Sequence, residues 1–111
     1  MTINEYQKAA LRTLNPNLSA IESLEDGLMG LNGEAGEAID ILKKHLFQGH
    51  SLDVEHLAKE LGDVAWYLAI SSDAIGIDLE TICRMNIEKL RARYPEGFEE
   101  ERSICRNVDD I

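Results

Sequence analysis

Basic residues are scarce in this chain. Of 111 residues, 11 are Lys or Arg against 21 Asp or Glu, a formal net charge of −10. That excess argues against a nucleic-acid partner, which needs a cationic footprint to displace counterions, and against docking on an anionic membrane surface. Aromatic side chains make up only 5%, so the core has to be mostly aliphatic. Two prolines and eight glycines are too few for a loop-rich scaffold. Cys83 and Cys105 are the only cysteines, stand in no CxxC, and fit a reducing compartment. No run approaches the roughly 18 apolar residues of a membrane span. The N-terminus lacks the basic-then-apolar pattern of a signal peptide. The expectation is a cytoplasmic chain of one domain, since a 44% hydrophobic content is that of a globular protein.

What the sequence does contain is helix signal. Thr2-Ile3-Asn4-Glu5 and Ser19-Ala20-Ile21-Glu22 read as capping boxes, in which hydroxyl and carboxylate satisfy each other's backbone N–H groups. The first predicts a helix to about Leu14, broken by Asn15-Pro16-Asn17. The second opens a helix that can continue to about Phe47. Gln48-Gly49-His50-Ser51 marks a loop, and Ser51 or Asp53 caps a third helix ending near Gly76. Asp78 caps a fourth, which Pro95-Glu96-Gly97 ends. No strand-like alternation and no internal repeat compete. The fold class expected is all-α, a four-helix bundle-type domain over residues 1–98 followed by a C-terminal tail over 99–111.

Two of these helices are unusual. In the second, Gly27, Gly30, Gly33 and Gly36 recur every three residues, each costing about 1 kcal/mol relative to Ala. Tight helix packing, with a break near Gly27 or Gly30, or clearance for a ligand would each explain them. In the third, Leu57, Leu61, Val64, Leu68 and Ile75 gather on one face, and Ala58, Gly62, Ala65 and Ala69 on another. A helix apolar on two sides is central. In so short a chain the small-residue face asks for a partner subunit, so a bundle completed by oligomerisation is expected.

Acidic residues three apart are helix neighbours, and five such pairs occur, about what composition alone yields. Wheel position separates them. Glu34 falls among Leu31, Ala38, Ile41 and Leu42, with Glu37 one turn on, while Asp40 points to the solvated side. Glu60 falls between Leu57 and Val64, with Asp63 and Tyr67 beside it. Carboxylates in an apolar stripe are costly unless paired or metal-bound. Two such couples on consecutive antiparallel helices can face each other and offer hard oxygen ligands to Mg²⁺, or to Mn²⁺ in its place. Alternatively Lys43, Lys44, Lys59 or an arginine neutralises them as plain ion pairs. A di-iron site would want two Glu-x-x-His motifs, and Asp53-x-x-His56 is the nearest approach.

The fourth helix carries Arg84, Lys89, Arg91 and Arg93 within ten positions. Asn86, Lys89 and Arg93 share a face and can hold an anion such as a triphosphate. A solvated C-terminal turn with dipole-matched cations explains the stripe equally simply. His45 lies on the wheel near Glu34 and His56 near Asp63, where capping or packing roles are the simpler expectation. Trp66 points away from Glu60 and Tyr67 and reads as a packing or interface residue.

Taken in order, Glu34-Ala35-Gly36-Glu37 and Glu60-Leu61-Gly62-Asp63 resemble the ExxE…ExxD signature of the MazG-like all-α nucleoside triphosphate pyrophosphohydrolases. Asn86-Ile87-Glu88-Lys89-Leu90-Arg91-Ala92-Arg93-Tyr94-Pro95 resembles that family's NxxKLxxRYP pattern. Fuller first motifs read EExxE; here Gly33 replaces the leading Glu, as in the dCTP-pyrophosphatase-like branch. The resemblance implies the reaction (d)NTP plus water to (d)NMP plus pyrophosphate, in nucleotide-pool house-cleaning, by a homodimer or homotetramer. It implies that Glu34, Glu37, Glu60 and Asp63 hold Mg²⁺ and act in catalysis. It further implies that Asn86, Lys89 and Arg93 contact phosphate and that Tyr67 lines the base pocket. Lys44 stands where that branch often has a base-pocket tryptophan, and is taken with the substrate-binding residues. A non-catalytic nucleotide- or protein-binding bundle and a phosphoribosyl-ATP pyrophosphatase are the alternatives.

Overall fold

A computed structural model describes residues 1–106 of the chain. In chain order the elements are α1 (Ile3–Leu11), α2 (Ala20–Phe47), α3 (Val54–Ala74), α4 (Leu79–Arg93) and α5 (Glu100–Ile104). Among the described residues there is no strand. No helix of these residues is long and apolar enough to cross a membrane. The chain divides into two compact units, Met1–Leu79 and the residues from Glu80 on.

In the first unit both capping boxes form, Thr2 with Glu5 and Ser19 with Glu22. Asp53, not Ser51, caps α3, its carboxylate accepting from the His56 N–H at 3.0 Å. α1 stops at Leu11, short of the expected Leu14. Its last turn tightens, with Thr13 N–H donating to Ala10 and Leu14 N–H to Leu11. The cause is competition for the Ala10 carbonyl, which also accepts from the Thr13 hydroxyl at 2.8 Å and from Trp66 Nε1 at 3.1 Å. Trp66 is thus a packing residue that pins α1 to α3. Its ring also meets Tyr67 edge-on at 5.0 Å, closer than the wheel suggests, because two large neighbouring rings bridge the 100° between them.

α2 runs unbroken through all four glycines and folds back against α3 through residues 48–53, where Gly49 takes a positive φ of 75°. The glycines serve two ends. A Cβ on Gly27 would collide with Ser71 and one on Gly30 with the Tyr67 ring, so these two let α2 and α3 approach closely. Gly33 and Gly36 face open space.

The face of α3 that packs is not the leucine face. Leu61 is 57% exposed, and Leu68 and Ile75 are exposed as well, whereas Glu60, Ala69, Ile70, Ser71 and Ser72 are buried. The close approach comes from the glycines of α2, against which Tyr67, Ile70 and Ser71 of α3 pack, and Leu61 and Leu68 remain outside. Of the expected small-residue interface, Ala69 is buried beneath α1, while Ala58 and Gly62 stay exposed. Gln7 ties this unit together. Its side-chain amide donates to the Ala69 carbonyl at 2.9 Å and to Ser72 Oγ at 3.1 Å, and its Oε1 accepts from Leu79 N–H at 2.9 Å.

In the second unit α4 is one uninterrupted helix, ended as expected at Pro95-Glu96-Gly97. Gly97 adopts φ 96° and Tyr94 stacks, tilted, on Phe98 at 5.4 Å. α5 lies within the expected tail, whose residues 107–111 fall outside the described residues.

Candidate metal centre

The close approach that Gly27 and Gly30 permit sets the antiparallel register of α2 and α3. Gly27 stands against Ser71 and Gly30 against Tyr67, and one turn further on the acidic residues meet. Carboxylate oxygens of Glu34, Glu37 and Glu60 all lie within 4.8 Å of one another. Glu60 is buried at 8% exposure, Glu34 is half-buried and Glu37 is exposed. Asp63, the fourth acid of the expected set, is exposed and lies outside this group of three, though its charge acts on Glu34 and on Tyr67.

Burying like charges together has a cost, and the protonation of the site records it. The Glu34 carboxyl is pushed up to about 7, chiefly by its hydrogen bond to the Glu60 carboxylate, then by burial and the charges of Glu37, Glu60 and Asp63. Glu60 is held below the ordinary glutamate range by that same bond from Glu34, helped by Glu37 and His56 and opposed by its burial. The two therefore titrate as a pair that retains a proton where isolated carboxyls would not. Apart from the proton that the pair shares, Oε2 of Glu34 and Oε2 of Glu60 are buried with no hydrogen-bond partner.

Neutralisation by lysine is not what this cluster uses. Lys43 and Lys44 both reach Asp40, at 3.4 and 3.0 Å, and Lys59 reaches Glu55 at 3.6 Å. Orphaned buried carboxylate oxygens converging on one point suit a hard divalent cation, so the donor set fits magnesium or manganese. Beside the cluster an open groove of about 450 Å³ runs between Glu37, His56 and Lys44, floored by the bare backbone of Gly33 and Gly36. Of the two explanations considered for the glycines, packing accounts for Gly27 and Gly30, while Gly33 and Gly36 line this groove. A larger hollow of about 530 Å³, beside Gln7 and Asp73, shares no residue with the cluster.

Tyr67 packs on Gly30, and its hydroxyl pKa is raised by burial first and then by the charges of Asp26, Glu34, Asp63 and Glu37. Asn86, Lys89 and Arg93 lie on α4 in the second unit, on one face as their spacing requires. His45 takes a local role, with Nδ1 at 2.8 Å from the His50 carbonyl. His56 was underestimated by the sequence. It pairs with Glu60, Nε2 to Oε1 at 3.1 Å, and the i,i+4 spacing of the two residues was the available signal.

Residues 22–98 match the family model described as the MazG nucleotide pyrophosphohydrolase domain. The Gene 37 protein of Mycobacterium phage L5 is 35% identical to the chain over 105 residues, covering 87% of this chain and 92% of that protein. No solved structure matches the chain.

Proposed function

The chain belongs to the MazG nucleotide pyrophosphohydrolase family, and on that premise we propose that it hydrolyses (deoxy)nucleoside triphosphates to monophosphates and pyrophosphate, using Mg²⁺ or Mn²⁺. The observation that carries this reading is the pair of buried, unpartnered oxygens on Glu34 and Glu60 beside Glu37, on the two segments whose ExxE and ExxD spacing bears the family resemblance. Glu34, Glu37, Glu60 and Asp63 would hold the cation. When bound, it supplies charge neutralisation to phosphate oxygens and acidity to the attacking water.

The residues of the chain divide the remaining work. Glu34 must release its proton to become a full ligand, so the empty and loaded centres differ in charge as well as occupancy. Glu60, buried, presents Oε2 from a site whose nearest lysines are paired with Asp40 and Glu55 instead. Asn86, Lys89 and Arg93 are assigned to phosphate oxygens on motif order, where cations stabilise the charge that builds on departing pyrophosphate. Tyr67 is assigned to the base and Lys44 to the substrate. A homodimer or homotetramer working in nucleotide-pool house-cleaning completes the proposal.

The deciding experiment is a panel of nucleoside triphosphates incubated with Mg²⁺ and assayed for pyrophosphate and monophosphate. Turnover that EDTA abolishes and Mg²⁺ or Mn²⁺ restores is expected. Full activity in chelator, or release of orthophosphate alone, would refute it.

A further inference from the structure

We propose that His56 is a positioning residue for the metal centre, fixing the Glu60 carboxylate so that Oε2 faces the cation. The inference rests on the proposed metal-dependent function and concerns one side chain that the family motifs do not include.

A carboxylate on a long side chain can turn either oxygen toward a ligand. Here the choice is made. His56 Nε2 lies 3.1 Å from Oε1 of Glu60, while Oε2 of the same group is buried and unpartnered. The backbone that carries the imidazole is itself held. The Asp53 carboxylate that caps α3 takes the His56 backbone N–H at 3.0 Å, fixing the first turn from which the ring projects. The Asp53 cap on the His56 backbone and the His56 ring on Oε1 of Glu60 thus follow one another along the first turns of α3, leaving Oε2 as the oxygen turned to the cluster.

Packing does not account for this histidine. Its side chain is 55% exposed, against 10% for Glu60, so little apolar surface would be lost with it. Nor does it read as a ligand. Nε2 is taken up by the contact with Glu60 Oε1, and the ring nitrogens stand outside the set of mutually close donor atoms formed by Glu34, Glu37 and Glu60. A donor that holds a metal-binding group by its other polar atom tunes affinity without touching the ion.

The test uses the full chain and Mn²⁺ alone, with binding followed by the electron paramagnetic resonance of the free ion. His56→Leu is expected to weaken Mn²⁺ binding by roughly tenfold to a hundredfold. His56→Gln, which keeps an N–H donor at the same spacing, should recover most of that loss. Metal-free melting of both should stay close to wild type, because the ring is exposed. Unchanged affinity in His56→Leu would overturn the proposal, as would equal losses in both variants, which would make the imidazole a ligand. A large drop in metal-free melting of His56→Leu would also overturn it, assigning His56 to the stability of α3. The wild-type arm keeps the two ideas apart. Mn²⁺ binding without pyrophosphate release refutes the reaction and leaves His56 standing, whereas no Mn²⁺ binding removes both.

Discussion

At the residue scale the site is a problem of shared protons, and its consequences run with pH. Glu34 has its pKa raised from 4.5 to about 7 in the folded chain. A carboxyl raised on folding adds stability that is full below its unfolded value and is lost as pH rises through the folded one. Glu60, lowered on folding, has the opposite sign, and its contribution is lost only as pH falls below the ordinary glutamate range. Between about pH 5 and pH 8 Glu34 therefore dominates, and metal-free melting temperature should fall as pH rises. Mg²⁺ should raise the melting point more at the alkaline end, where no proton has to be displaced. Scanning fluorimetry in EDTA and in Mg²⁺ checks both slopes, and Glu34→Gln should flatten them. The same geometry ranks the acids in turnover. Glu37→Gln and Glu60→Gln should each lower kcat by roughly a hundredfold or more. Asp40→Asn, whose carboxylate already sits between Lys43 and Lys44, should leave it near wild type, and equal losses in all three would refute the assignment. The three clustered glutamates were legible because wheel position alone brings Glu34 and Glu60 to inner faces. Gln7 was not, since its partners lie more than sixty residues away and nothing local marks it.

At the scale of elements, the helices could be read wherever their ends are set locally. Both capping boxes, the Asp53 cap and the stop at Pro95-Glu96-Gly97 depend on residues within one turn, and all formed. The end of α1 could not be read in the same way, because Trp66, 56 residues away, claims the carbonyl that would have continued it. Helix faces failed for a related reason. Periodicity reports two apolar stripes on α3, but which one packs is decided by how closely a neighbour can come, and glycine on α2 decides that. The glycines accordingly make a paired prediction. Gly30→Ala places a methyl in the Tyr67 ring and should lower the melting temperature, because aromatic ring and backbone must separate. Gly33→Ala meets nothing within 4 Å and should stabilise the metal-free chain by about 1 kcal/mol through helix propensity alone. Chemical denaturation of the two variants side by side measures both signs. If Gly30→Ala were the more stable of the two, the packing of α2 on α3 would have to be different.

At the scale of the whole molecule, the balance of buried and exposed apolar surface bears on assembly. Among the described residues the buried hydrophobic side chains are few, and two of the four are alanines: Ala10, Ala69, Ile70 and Leu79. Meanwhile Leu28, Met29, Ile39, Leu46, Phe47, Leu61 and Leu68 are all exposed, Phe47 by 79%. Monomers seldom present so many large apolar side chains to water while burying so few. The sequence pointed to a second copy through the small-residue face of α3, yet Ala69 on that face is already covered within the chain. The part left open is Ala58 and Gly62 with the flanking Leu61 and Leu68. That stripe is where the expected homo-oligomer should close. Light scattering at micromolar concentration should give a multiple of 12.4 kDa, and a mass of one chain would exclude the assembly. The double substitution Leu61→Arg and Leu68→Arg should split it, since charges buried across such a contact lack partners. Both side chains are exposed within the chain, so the separated copies should keep their helix content by circular dichroism. An oligomer that survives both arginines would place the contact elsewhere, with the exposed end of α2 at Leu46 and Phe47 the next surface to substitute.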